Sequence, residues 1–143
     1  MNALNLNSFL RALRSLRGVR GLTATLIVVV ASSAYAHHSA TMFEQTKQIT
    51  VEGVVKEFQY SNPHSWLLVD VTDKNGKVTT WGFEAEGPST LQRAGIRPSV
   101  FPAGTKVTMT GRPMKDGTPA AIWVFAIKED GKKYDPRAGF QVK

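Results

Sequence analysis

Three observations predict an all-β fold, a small five-stranded barrel with one short helix between its third and fourth strands. Apolar and polar residues alternate in separate runs after residue 48. Turn residues divide those runs, among them an Asn-Gly that marks a hairpin. One brief stretch, opened by a proline and closed by a glycine, has the asymmetry of a helix.

Residues 1–36 stand apart from that domain. Arg11, Arg14, Arg17 and Arg20 form a positive stretch without an acidic residue, and the apolar run Leu22 to Ala31 follows. Ser32-Ser33-Ala34-Tyr35-Ala36 then supplies an A-x-A ending. Positive region, short apolar core and small-residue site in that order make a cleavable secretory signal peptide. The apolar run is shorter than the roughly 20 residues that span a bilayer, so no stable membrane span is expected after processing. Neither a twin arginine nor a cysteine for lipid attachment is present, which predicts general export to a Gram-negative periplasm.

Residues 37–48 lack periodicity and read as an extended arm. The predicted barrel domain covers 49–127. Its first strand begins with Ile49, Val51, Gly53 and Val55 alternating with Thr50, Glu52, Val54 and Lys56 and runs on to Phe58 and Tyr60. Such a run is long enough to bend, and Gly53 is the candidate bulge or kink. Ser61-Asn62-Pro63-His64 interrupts it. Ser65 to Thr72 and Val78 to Ala85 flank Asn75-Gly76 and should pair as a hairpin. Gly87 to Gly95 is the helix candidate, about two turns long. Lys106 to Arg112, with Val107, Met109 and Gly111 on one face, and Ala120 to Ile127 supply the last two strands. Residues 128–143 read as a polar, partly ordered tail. The order β-β-β-α-β-β is the plan of an OB-like barrel, whose second and third strands and adjoining loops bind ligands. A small sandwich is the main competitor, and the short helix between strands three and four favours the barrel.

Charge narrows the function. The chain carries 18 Lys and Arg against 11 Asp and Glu, but cleavage removes four arginines and leaves 14 against 11. The remaining positive charge is scattered, with Lys132-Lys133 the one adjacent basic pair of the mature chain, so the basic stripe of a nucleic-acid protein is missing. Cysteine is absent altogether, which excludes disulfides, thiolate metal centres and a cysteine nucleophile.

The three histidines carry what chemistry the sequence offers. Cleavage after Ala36 makes His37 the first residue, so its α-amine and ring Nδ1 can chelate one metal ion. His64, in the connection between the first two predicted strands, can add an imidazole nitrogen. Tetragonal nitrogen ligation of this kind suits Cu(II) and defines a histidine brace. His38 is the alternative donor, and Met42 a soft one for Cu(I) or a packing residue. Plainer readings stand beside these: chain termini are commonly disordered, and His64 after Asn62-Pro63 can simply bond a turn carbonyl. Trp66, Trp81 and Trp123 fit barrel packing better than a stacking platform. Glu84 and Glu86 share a strand face and read as a solvated edge or, less readily, as metal or catalytic groups.

No hydrolase elbow, zinc-protease helix, phosphate loop or dinucleotide motif occurs, so catalysis has little support. From His37 to about Ile127 the chain resembles the DUF6152 family of small exported bacterial proteins of unknown function. The resemblance rests on His37-His38-Ser39, Phe43, Gly53-Val54-Val55, Asn62-Pro63-His64, Trp81 with Glu84, Gly95, Gly104 and Gly111. It implies an exported domain and supplies no activity. The expected function is a periplasmic copper-binding protein, for storage, delivery or sensing, using His37, His64 and, as alternative, His38. One alternative is a non-metal binding module for an envelope protein, glycan or small ligand; another is a copper-dependent oxidative enzyme.

Overall fold

The computed structural model describes residues 41–138. The signal peptide predicted for residues 1–36 lies outside the described residues, as do His37, His38 and the last five residues. The chain divides after Thr41, and the barrel belongs to the second unit, Met42–Lys143.

Each predicted strand is present within a residue or two of its expected ends. They are β1 (Ile49–Gln59), β2 (Ser65–Thr72), β3 (Val78–Ala85), β4 (Lys106–Pro113) and β5 (Ala120–Lys128). The helix α1 (Pro88–Arg93) and a 3-10 turn (Pro98–Val100) connect β3 to β4. Strand β1 pairs with β2 through its second half and with β4 through its first. A parallel pairing of β3 with β5, from Gly82↔Ala120 to Glu84↔Ile122, closes the sheet. The result is a five-stranded OB-like barrel, as the element order requires.

The bend of β1 falls at a different place from the expected one. Gly53 pairs regularly with Val107, and the irregularity lies between Val55 and Glu57. The apolar pattern explains why. Ile49, Val51 and Val55 face the core on odd positions, while Phe58 and Tyr60 do so on even ones. Keeping both sets inside requires one extra residue between them, which is a β-bulge at Lys56. Gly53 answers a separate need, because a Cβ there would lie 2.5 Å from the Asp70 carbonyl oxygen and 2.7 Å from a Val69 methyl. Gly53→Ala is therefore expected to cost about 1–3 kcal/mol, the usual range for forcing volume into a filled site. Urea unfolding that shows no loss would remove the close crossing of β1 over β2.

Inside the barrel, Leu67, Val69, Phe83, Met109 and Trp123 form the centre, with Leu91 and Ile96 from the α1 region closing one end. Trp81 stacks on Phe83 at 6.3 Å, and Trp66 instead lies outside, its ring 3.1 Å from where a Gly82 Cβ would be. Beyond β5 the polar tail carries one further element. A short strand, β6 (Lys133–Tyr134), pairs with β5, and Tyr134 is only 7% exposed. Lysines and aspartates surround one tyrosine there, so composition hides the single residue that anchors the segment. The arm is anchored likewise: Phe43, 3% exposed, bridges Met114, and the Lys115 amide donates to the Met42 carbonyl. Met42 itself is half exposed rather than packed on the barrel.

Candidate functional site

The loop Tyr60 to His64 that joins β1 to β2 is held on several sides. The Tyr60 hydroxyl donates to the Pro88 carbonyl at 2.8 Å, tying the end of β1 to α1. Gly87, just before that helix, lies against the loop so closely that a Cβ would sit 2.8 Å from the Pro63 carbonyl oxygen and 2.9 Å from Asn62 Oδ1. Only glycine allows the two segments to touch in this way. Within the loop, the Ser61 hydroxyl donates to the His64 carbonyl at 3.2 Å, and the buried Ser65 hydroxyl donates back to the Ser61 carbonyl at 3.3 Å. The Asn62–Pro63 peptide bond is cis. Asn-Pro-His is thus a seated turn that presents one imidazole.

That imidazole meets a carboxylate. His64 Nδ1 is hydrogen-bonded to Glu84 Oε1. Glu84 is 9% exposed and sits on the outer face of β3, opposite Trp66 of β2 and beside Ile122 of β5. His64 retains a side chain 38% exposed. Among the described residues nothing bonds its other ring nitrogen, Nε2. Glu86 shares Glu84's face but turns to a different partner, with Arg137 Nε at 3.9 Å.

The pairing of His64 with Glu84 is the feature that reading along the chain missed, and a signal for it was present. In the hairpin each partner pair is equidistant from Asn75: Thr72↔Val78, Val69↔Trp81, Trp66↔Glu84. Reflecting the sequence about Asn75 places Glu84 opposite Trp66, two residues from His64 on the neighbouring strand. Of the other sequence-predicted donors, His37 and His38 lie outside the described residues. Among the described residues no third His, Asp or Glu joins the pair in a metal-sized group.

A concavity of about 480 Å³ lies where β1 crosses between β2 and β4. Glu52, Asp70, Lys106, Lys128 and Glu129 line it, and neither His64 nor Glu84 reaches it. Two of its charges already neutralise each other, Lys106 Nζ lying 3.0 Å from Glu129 Oε1. Among the described residues no helix is long and apolar enough to cross a membrane.

Fold and site together define a small OB-like barrel with a histidine–carboxylate pair at the mouth of its first loop. The chain belongs to the family of unknown function DUF6152, whose family model matches residues 24–123. That span includes His37, His38, His64 and Glu84. Neither a curated protein nor a solved structure matches the chain.

Proposed function

We propose that the exported and processed protein binds copper in the periplasm. The α-amine and ring Nδ1 of His37 supply two donors, His64 Nε2 the third, and His38 stands in reserve. The observation that supports this reading is the state of His64, with one ring nitrogen engaged by a buried carboxylate and the other without a partner among the described residues. A histidine that binds a metal commonly gives its second nitrogen to such a carboxylate. The nitrogen-only donor set suits Cu(II), and storage, delivery or sensing each follow from reversible binding. Oxidative catalysis on the same ion is the further step that an open coordination position permits.

The arm leaves room for this geometry. Phe43 is fixed against Met114, so the six chain steps from it back to His37 reach at most about 20 Å. Glu84 is three strand spacings from Phe43 across β4, β5 and β3, about 14 Å, and two residues further along.

A non-metal module is the rival reading, and Trp66 supports it by lying across Gly82 on the outer face of β2 and β3, the face OB barrels use for ligands. Cu(II) titration with electron paramagnetic resonance separates the two. Protein beginning at His37 is expected to give a tight, tetragonal, nitrogen-ligated signal. One extra residue before His37, or His64→Ala, is expected to abolish it. Equal weak binding by all three proteins overturns the copper reading in favour of the rival.

A further inference from the structure

We infer that Glu84 is the positioning residue of the His64 site, fixing the ring tautomer so that Nε2 is the ligating atom before any metal arrives. The inference rests on the copper reading for its consequence, while the ring state itself is measurable without metal. A neutral imidazole carries one N–H, and the other nitrogen keeps its lone pair. An ionised carboxylate can only accept, so a hydrogen bond between it and Nδ1 places the proton on Nδ1 and leaves Nε2 as the donor atom.

The surroundings of Glu84 favour this role over that of an ordinary surface charge. Glu44, Glu86 and Glu129 each have a lysine or arginine within 4 Å, at 3.6, 3.9 and 3.0 Å. Glu84 is more buried than the exposed members of that set and faces a histidine instead. A carboxylate taken out of water is retained when its oxygens are bonded, and His64 is the partner that the structure gives it. The two sides are also rigidly set against each other. Glu84 is held in the sheet by β2 on one flank and β5 on the other. The His64 carbonyl accepts from the Ser61 hydroxyl, and the loop before it is held by Ser65 on Ser61 and by Asn62 and Pro63 against Gly87. The backbone of both partners is therefore placed without a metal, and the contact with Glu84 orients the ring.

The test uses metal-free, ¹⁵N-labelled protein beginning at His37, at pH about 8, above the ordinary histidine range. Long-range proton–nitrogen correlation reads which ring nitrogen carries the proton, and His64→Gln assigns the signals. The wild-type ring is expected to show a protonated Nδ1 and a bare Nε2. Glu84→Gln keeps an acceptor oxygen and should preserve that pattern. Glu84→Leu, which offers no acceptor, should shift the ring toward the Nε2–H form. A wild-type ring protonated on Nε2, or a Glu84→Leu ring identical to wild type, overturns the inference. A Cu(II) titration of the same proteins reads the consequence. Glu84→Leu is expected to weaken binding about 10–100-fold, with Glu84→Gln closer to wild type. Failure of the wild type to bind copper sinks the copper reading alone and leaves the ring result to decide the tautomer. Undiminished binding by Glu84→Leu overturns the positioning role.

Discussion

On the copper reading, deleting Ser39, Ala40 and Thr41 from protein beginning at His37 should uncouple the bound Cu(II) from His64. Phe43 is buried and bridged to Met114, and the Lys115 amide bonds the Met42 carbonyl, so the covalent reach of the chain end is limited from Phe43. The deletion leaves three steps of chain, about 10 Å at full extension. The span to Glu84 is about 14 Å across the strands before any displacement along them. His37 and His38 can still bind a Cu(II) ion at the chain end, but His64 can no longer join it. The affinity should fall by about 10² or more, the order of the gain that a tether confers on a second binding event. His64→Ala, expected to abolish the tetragonal signal in the full-length arm, should then have no further effect. Three inserted glycines should act differently, because slack lowers the local concentration only gradually. A shortened protein whose tetragonal copper still depends on His64 would show that the arm leaves its anchor at Phe43 on binding.

How much of this was legible in the sequence depends on the range over which each signal acts. The Asn75-Gly76 turn fixed the register of β2 against β3 across all eight pairs, because a two-stranded hairpin is a local structure. The short α1 followed in the same way from Pro88 and the terminating Gly95. The parallel β3–β5 pairing that closes the barrel leaves no local trace, and it followed only from the order of elements. At Gly53 the residue type was informative and its meaning was not. A glycine in a strand signals a bulge and a close crossing alike, and here the shift in apolar parity between Val55 and Phe58 was the better guide to the bulge. The candidate site divided along the same line. Asn62-Pro63-His64 stood out as a rigid turn, whereas Glu84 resembled a solvated edge residue until the hairpin brought it beside His64.

Phe101→Ala is expected to destabilise the barrel by about 3–5 kcal/mol, the range for removing a fully buried aromatic ring. The side chain is 1% exposed and sits at the centre of a cluster whose members come from distant parts of the chain. Its ring centroid lies 5.4 Å from Trp123 in β5, 6.2 Å from Phe58 in β1 and 5.1 Å from Tyr134 in β6, each edge-on. Edge-on aromatic pairs add about 0.5–1.5 kcal/mol to the area they bury. Three such pairs share Phe101, so truncating it removes more than one residue's worth of contact. Trp123 cannot make up the loss by polar means, because among the described residues its buried indole N–H has no hydrogen-bond partner. At about 4–8 °C per kcal/mol for a domain of this size, the melting temperature should fall by at least ten degrees. The same cluster explains why β6 holds against β5 on only two residue pairs. Tyr134→Ala should therefore be costly as well, and the double variant should lose less than the two single losses combined, since the residues share one contact. Thermal unfolding of the three variants decides the matter. Additive losses would make β6 an independent appendage, and a Phe101→Ala loss below about 1 kcal/mol would mean that the barrel is held by the aliphatic layer of Leu67, Val69 and Met109 instead.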